Sequence, residues 1–597
     1  MPMYQAPLQD MRFIAGYLKQ RATAQATPLA ELFDLELFNA IVVEADRFAQ
    51  GLMQPSNRTA DVFGAELHAG QVQTTPEWSE LYEQFIESGW IGLALPEEHG
   101  GQGLPRSFAR AVWEMWYSTN LAFAMLPQLN VAQAEALIAT ADPQWQQPWL
   151  EKIVSGEWAA TMDLTEPQAG SDLAATMMRA EPQADGSYRL FGQKIYISFG
   201  EHELAPNIVH LVLARLPNAP AGHRGLSLFL APKYLVDEAG QLGVKNDISC
   251  VSLEDKLGIR GSPTCTLVYG EDQGATAYLV GAPHQGLAQM FVMMNEARQA
   301  VALQAVGVSE KAYQLAKHFA KERVQGAVVD HPADTVLPIA YHPDVKRMLL
   351  ELRSSTLAMR ALCYSLGFFV DQAEHLSDEV DRATLLDLVQ VLLPIAKGWC
   401  TEKATYNSSL AVQVFGGMGY IEETGIAQVM RDARILPIFE GTTGIQAKDL
   451  VGRKLLRDQG QSLEHLLLQI EITAKALASA PGLEPTAPLL QQAITAARVA
   501  VQALVQTTGS QYALFAVSVP LMELLGGLSG GWQLAQLAVF STEPQAQAAE
   551  GQGYCQGIQQ LWQFYATHEL PKIFALTQVV QSGGEAVEHA HLDWALI

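Results

Sequence analysis

The chain is short of basic residues, of paired cysteines and of long apolar runs, and each shortage closes off a class of function. Only 38 of its 597 residues are Lys or Arg, against 63 Asp or Glu, for a net charge of −25. That balance argues against nucleic acid or an anionic membrane as the main partner. An anionic small ligand would need locally placed arginines. Five cysteines, Cys250, Cys265, Cys363, Cys400 and Cys555, stand apart with no C-x-x-C pair, so neither a zinc site nor a disulfide framework is expected, and a reducing cytoplasm fits. Met1 to Asp10 carry no basic segment leading into an apolar core, and no apolar run reaches the length of a membrane span, so a soluble protein with no stable membrane insertion is expected. The nearest approach, Tyr512 to Leu525, contains Pro520 and Glu523 and reads as a buried helix.

What the chain does have is apolar material, 49% of its residues, enough for three or four domains that fold without disulfide or metal. After a short N-terminal extension, apolar residues recur at threes and fours from about residue 28 to 157, as in Leu29 to Phe33 and Leu81 to Ile86. The domain 1–157 is therefore read as helical. From Trp158 the period shortens: Trp158 to Leu164, Tyr188 to Phe191, Lys194 to Ser198, Ile208 to Leu216 and Gly225 to Leu230 are strand-like, and Asp185-Gly186 marks a hairpin. This gives a β domain, 158–282. Helical periodicity returns from Gly286 and runs through Asp344–Leu366 and Arg382–Phe415, an α bundle at 283–455. A further stripe at Leu463, Leu466, Leu467, Ile470, Ala474 and Leu477, broken by Pro481, Pro485 and Pro488, opens an added helical domain at 456–597. The fold class expected is α+β multidomain.

One carboxylate stands out. Glu440 follows Ile435-Leu436-Pro437-Ile438-Phe439 and precedes Gly441-Thr442-Thr443, which places apolar neighbours on one side and a tight polar turn on the other. Burial of that kind raises a carboxylate's pKa and suits removal of a weakly acidic C–H proton. Taken alone, a structural glutamate beside a turn would be the commoner explanation. The stretch Arg431-Asp432 to Thr442 resembles the signature of the acyl-CoA dehydrogenases, and three more segments are similar to that family: Thr165-Glu166-Pro167-Gln168-Ala169-Gly170-Ser171-Asp172, Lys194-Ile195-Tyr196-Ile197-Ser198, and Gln413-Val414-Phe415-Gly416-Gly417-Met418-Gly419-Tyr420. The loop Leu95 to Pro105 also resembles the family's Pro-Glu-Glu-Tyr-Gly-Gly loop, with His99 in place of Tyr. The order of helical, β and bundle domains is that family's architecture, and the added domain matches its branch of roughly 600 residues.

The resemblance implies FAD as cofactor and assigns roles. Thr165 would bond the flavin pyrimidine edge, with Gly170 in the same loop. Ser171 would face the FAD pyrophosphate and the CoA arm. Tyr196 would lie against the isoalloxazine, with Ser198 donating near N5. Asn295 and Arg298 would meet the substrate's CoA portion, Gly441 would bind the substrate, and Thr442 would bind FAD. Gln413 and Gly417 would reach the adenosine of a neighbouring subunit. Arg323 would do likewise, although Lys321-Glu322-Arg323-Val324-Gln325-Gly326 is one residue shorter than the family's Arg-x-x-Phe-Gly and lacks its Phe. No metal is implied.

Implied too is α,β-dehydrogenation of an acyl-CoA, medium to long chain, to the trans-2-enoyl-CoA. Glu440 would take the α-proton, and electrons would go to an electron-transfer flavoprotein. Preorganised donors to the thioester oxygen must assist, each worth roughly 3–4 kcal/mol. A bacterial, cytoplasmic homodimer is expected. Two alternatives within the family stay open here, a 3-(methylthio)propanoyl-CoA dehydrogenase and an acyl-CoA oxidase. The DNA-binding, alkylation-response branch of the same fold needs a basic C-terminal surface, and residues 456–597 hold 4 Lys and Arg against 11 Asp and Glu.

Overall fold

A computed structural model describes residues 4–25, 27–140, 143–237, 240–332, 335–506 and 510–590, with the side chains of 143–148 set aside. The chain divides into two compact units that do not follow sequence order: one comprises Met1–Asp46, Pro105–Ser118 and Val301–Ile597, the other Arg47–Leu104 and Thr119–Ala300.

The second unit is built on an eight-stranded sheet. Its order is Ile248–Leu253, Thr264–Tyr269, Tyr188–Ser198, Ala275–Val280, Leu226–Pro232, Asn207–Arg215 and Trp158–Asp163, with Arg179–Pro182 pairing both Tyr188–Ser198 and Asn207–Arg215. Asn207–Arg215 and Leu226–Pro232 read as near-continuous apolar runs because both of their faces are covered. Val209, Leu211 and Leu213 join a core with the helical residues Leu129, Leu137, Trp149 and Ile153. Val212, Ala214 and Phe229 join a second core with Leu190 and Leu267. The Asp185-Gly186 hairpin connects Arg179–Pro182 to Tyr188–Ser198, with Gly186 at φ 87° and the Asp185 carboxylate accepting from the Ser187 N–H. Tyr188–Phe191 and Lys194–Ser198, expected as separate strands, form one strand. A small antiparallel pair, Glu66–His68 with Gln71–Gln73, interrupts a stretch expected to be wholly helical; three residues a side are too few to show a period.

The first unit is helical. Helices Pro343–His375 and Glu379–Phe415 pack along one another, and both pack on Ser518–Phe540, which also touches Gln461–Leu477, Gln552–His568 and Lys572–Ser582. The six stripe residues from Leu463 to Leu477 are all buried, as the sequence pattern indicates. Trp399 fills the space left by Gly526 and Gly530: a Cβ on either would lie 2.2 or 2.4 Å from its ring. Glu569 accepts from Lys403 at 2.9 Å and Lys572 at 2.7 Å, tying the C-terminal helices to the bundle. Tyr512 to Leu525, expected as one helix, spans Gln511–Ala516 and Ser518–Phe540, separated at Val517 (φ −106°, ψ 8°). The N-terminal extension forms a helix, Leu8–Ala24, within this unit.

Contrary to the expectation that no span-length segment exists, two helices among the described residues are long and apolar enough to cross a membrane, Leu121–Thr140 and Glu379–Tyr420. They are core helices, 83% and 67% buried over their most apolar windows.

The most highly charged core of the first unit escaped the sequence reading altogether. Arg360, with no exposed surface, donates to Glu114 (2.6 and 2.9 Å), Glu310 (2.7 Å) and Asp10 (3.0 Å). Arg353 adds a bidentate pair to Asp10 at 2.6 Å, and the Tyr554 and Tyr364 hydroxyls donate to Asp10 and Glu114 at 2.8 Å. Burial pushes the Asp10 carboxyl upward, but Arg353 and Arg360 overcome it and hold it at about 2.

Candidate functional site

The candidate residues fall in both units, and each set takes its geometry from its own unit. In the sheet unit, Trp158–Asp163 ends in the Thr165–Asp172 loop, pinched where Glu166 and Ala169 exchange backbone hydrogen bonds at 3.0 Å. Thr165 is half-buried, and its carbonyl accepts from the Ile195 N–H at 2.9 Å. Gly170 and Ser171 are exposed at the loop's tip. Added to Gly170, a Cβ would meet its nearest neighbour, Thr165, at an ordinary 4.0 Å, so this chain's own packing does not demand glycine there.

Two charges inside these motifs weld them together, and the sequence reading passed over both. Lys194, fully buried, donates to the Glu166 carboxylate at 2.9 Å and to the Leu164 carbonyl at 3.0 Å. Glu166 also accepts from the N–H groups of Met177 (2.7 Å) and Met178 (3.1 Å). Against the upward push of burial, the Lys194 charge and these N–H groups hold the Glu166 carboxyl below its ordinary range. The signal available in sequence was an acid and a lysine in otherwise short, apolar-flanked motifs.

Tyr196 is presented by a defect in the sheet. Between the pairs Ile197 with Cys265 and Lys194 with Leu267 the register shifts, so Ile195 and Tyr196 together oppose Thr266. Such a bulge re-aims a side chain. Tyr196 takes φ 61°, uncommon for a bulky residue, and its ring is 60% exposed. Ser198, paired opposite Thr264, is half-buried. On the helix Gly286–Glu322, Asn295 is exposed and Arg298 buried; the guanidinium reaches Asn295 Oδ1 at 3.4 Å and lies over the Phe291 ring at 5.6 Å. The i, i+3 spacing puts the two polar groups side by side.

In the helical unit, Glu440 and Gly441 are successive left-handed residues, φ 55° and 89°. For glutamate that conformation costs on the order of 1–3 kcal/mol and persists where the surroundings enforce it. The Gln446 side chain donates to the Glu440 carbonyl at 3.1 Å, and Lys397 donates to the Gly441 carbonyl at 2.7 Å. Thr442 caps the helix Thr443–Asp449, its hydroxyl accepting from the Ile445 N–H at 3.3 Å. Leu436 and Pro437 are buried, but Ile438 is exposed and Glu440 only half-buried. Buried apolar residues thus lie on one side of Glu440 only, the arrangement the sequence indicates, and the burial expected of the carboxylate is partial.

Gln413 and Gly417 are exposed at the end of the Glu379–Phe415 helix. Of the neighbouring glycines, Gly419 is fixed by packing, since a Cβ would lie 2.5 Å from the Val412 carbonyl. Gly417 has open space around that position. Arg323 is exposed beyond the end of its helix and donates to Gln325 at 3.3 Å. Among the described residues no cluster of three or more metal-ligating side chains occurs.

Comparison with known proteins accounts for nearly the whole chain. Profiles of the acyl-CoA dehydrogenase N-terminal, middle and C-terminal domains match residues 39–157, 161–271 and 284–456, and that of the acetyl-CoA dehydrogenase C-terminal-like domain matches 466–590. The chain is 43% identical, over 92% of both sequences, to a 3-methylmercaptopropionyl-CoA dehydrogenase of Ruegeria pomeroyi. It is 32% identical, again over 92% of both, to a broad-specificity linear acyl-CoA dehydrogenase of Mycobacterium tuberculosis. Its fold is shared with Caenorhabditis elegans ACDH-11 in complex with C11-CoA (TM-score 0.75, 21% identity, 98% of this chain and 94% of that one). A Bacillus anthracis acyl-CoA dehydrogenase complexed with FAD is similar in the same way (TM-score 0.73, 21% identity, 94% and 89%). With matches running through every domain, the chain belongs to the acyl-CoA dehydrogenase family, flavin-dependent oxidoreductases.

Proposed function

We propose that this protein dehydrogenates 3-methylmercaptopropionyl-CoA across its Cα–Cβ bond, giving the 2-enoyl thioester. The observation that carries this reading is the 43% identity to the Ruegeria pomeroyi enzyme over 92% of both chains, against 32% for the broad-specificity relative. It takes precedence over the medium- to long-chain substrate expected from sequence. That substrate remains the second reading, supported by the linear acyl-CoA relative.

The family's cofactor is FAD, which when bound accepts the hydride leaving Cβ. The residues present fit such a group: the exposed Tyr196 ring offers a flat face, and the loop beside it, held by Glu166 and Lys194, presents Thr165 and Ser171. Glu440 takes the α-proton. Its half-exposed carboxylate loses its remaining water when an acyl chain covers it, which raises its basicity at the moment of use. The Glu440 N–H is this chain's donor to the thioester oxygen, and Arg298 with Asn295 meets the CoA portion. Electrons leave to an electron-transfer flavoprotein, and the chain works as a homodimer in the cytoplasm. Pairing of copies is supported by apolar surface around Gly417, where Tyr420 is 89% exposed and Met418 and Ile421 about half. In this reading Gln413, Gly417 and Arg323 serve the partner's cofactor.

The methylthio substrate is the isostere of pentanoyl-CoA, with sulfur in place of one methylene. An apolar pocket cannot strongly reject an isostere, whereas each surplus methylene is worth roughly 10–200-fold. A panel of acyl-CoAs from C4 to C18 plus the methylthio thioester, assayed with an artificial acceptor, should therefore give the highest kcat/KM for the methylthio compound, pentanoyl-CoA next, and steep loss beyond C8. A maximum at C12 or longer would replace this reading with the second. Tyr196→Ala separates the cofactor role from a structural one. The ring is exposed, so the melting temperature of the apoprotein should hold, while FAD affinity weakens by the roughly 0.5–1.5 kcal/mol of a lost aromatic stack. Unchanged affinity in a fluorescence titration would remove Tyr196 from the flavin site.

A further inference from the structure

Beneath the Glu440 turn lies a lysine that no motif singled out. Lys397 sits in the middle of the Glu379–Phe415 helix with 0% of its side chain exposed, and its ammonium donates to the Gly441 carbonyl at 2.7 Å. A buried ammonium is costly, and a neutral amide can make the same hydrogen bond to a carbonyl.

The bond it makes is placed to matter. Glu440 and Gly441 are both left-handed, and two side chains hold their consecutive carbonyls from within: Gln446 at 3.1 Å and Lys397 at 2.7 Å. The turn is closed again where the Thr443 N–H reaches the Pro437 carbonyl at 3.0 Å and its hydroxyl reaches Glu402 at 2.5 Å. Lys397 itself stands on fixed ground. Next to it, Gly398 and Trp399 pack against Met522, Gly526 and Gly530 of the Ser518–Phe540 helix, so close that a Cβ on Gly398 would lie 2.3 Å from the Met522 sulfur.

We infer that Lys397 is a positioning residue for Glu440: its ammonium holds the strained Glu440–Gly441 turn, and the added C-terminal domain holds Lys397. This rests on the reading of Glu440 as the α-proton base.

Lys397→Met keeps the length of the stem and removes the donor. In the FAD-loaded enzyme, kcat and the rate of substrate-induced flavin bleaching should fall by up to roughly 10²-fold, the cost of about 1 Å of misplacement. KM, FAD content and melting temperature should stay near wild type, a pattern that lost folding cannot give. The decisive arm combines the change with Glu440→Gln. Residues acting through one another are strongly non-additive, so Lys397→Met should slow bleaching in the wild-type background and leave the slow residual bleaching of Glu440→Gln unchanged. The same fold-loss in both backgrounds, or a kcat loss that only follows FAD loss, overturns the inference. Wild-type bleaching in Glu440→Gln alone instead overturns the base assignment, so the two failures are distinguishable. Should Lys397→Met not fold, Gln446→Met, which removes the other donor to the turn, carries the same measurements and the same criteria.

Discussion

Glu440→Gln is expected to slow flavin reduction by roughly 10²–10⁴-fold, the range for a lost general base. The amide keeps the size and hydrogen-bonding capacity of the carboxylate and removes its basic lone pair. The backbone contacts of the turn, from Gln446 and Lys397, involve carbonyls and are untouched by the change. FAD content and affinity for a substrate analogue should therefore survive. A merely structural glutamate would give the opposite result, lost FAD or a lowered melting temperature with activity following the folded fraction. Glu440→Asp supplies the finer control: charge is retained but withdrawn by one methylene, and a displacement of about 1 Å can cost roughly 10²-fold. Stopped-flow bleaching in the three proteins decides among these. A wild-type rate in Glu440→Gln would place the base elsewhere.

Arg360→Met should destabilise the helical unit by about 3–5 kcal/mol, the usual cost of stripping one partner from a buried ionic network. Its removal leaves Glu114, Glu310 and Asp10 buried, with Arg353 the remaining cation among the network residues named. The sign of the pH dependence is fixed. Burial already raises the Glu114 carboxyl, despite Arg360, and without Arg360 it must rise further. A carboxyl raised in the folded state contributes stability below its unfolded pKa, which is lost as pH climbs through the folded value. The deficit of Arg360→Met should thus be largest near pH 8 and narrow toward pH 5. Asp10, whose carboxyl Arg353 and Arg360 together hold at about 2, loses one of those two cations in the variant, so its carboxyl moves upward, in the same direction as that of Glu114. Thermal unfolding of the two proteins at pH 5, 6.5 and 8 measures the gap, and a constant gap, or one under about 1 kcal/mol, would contradict this account.

Local pattern revealed much of this and could not reveal the rest. The stripe from Leu463 to Leu477, the apolar strands and the hairpin at Asp185-Gly186 are legible because each depends on neighbours a few residues away. The segments that resemble the family's were legible as letters, but their geometry was not. That Tyr196 is left-handed follows from a register shift against Thr266, seventy residues on, and that Glu166 meets Lys194 depends on two strands coming together. Nothing in the letters around Lys397 points to the Gly441 carbonyl, 44 positions further along the chain. That Glu440 is only partly buried was not legible, because sequence shows which residues are apolar but not how a left-handed turn aims the next side chain.

The network around Asp10 also bears on the order in which the protein is made. Its carboxylate is bonded to side chains 343, 350 and 544 positions further along the chain. The ribosome releases those partners long after Asp10, with the sheet's residues emerging in between. Until residue 554 is available, the first helix has one of its hydrogen-bonding partners still unmade. Contacts of such separation are slow to close and leave their surfaces open to misassociation. The N-terminal helix therefore calls for shielding while synthesis proceeds, and a nascent chain arrested before residue 554 should remain open to proteolysis there after the sheet has become resistant.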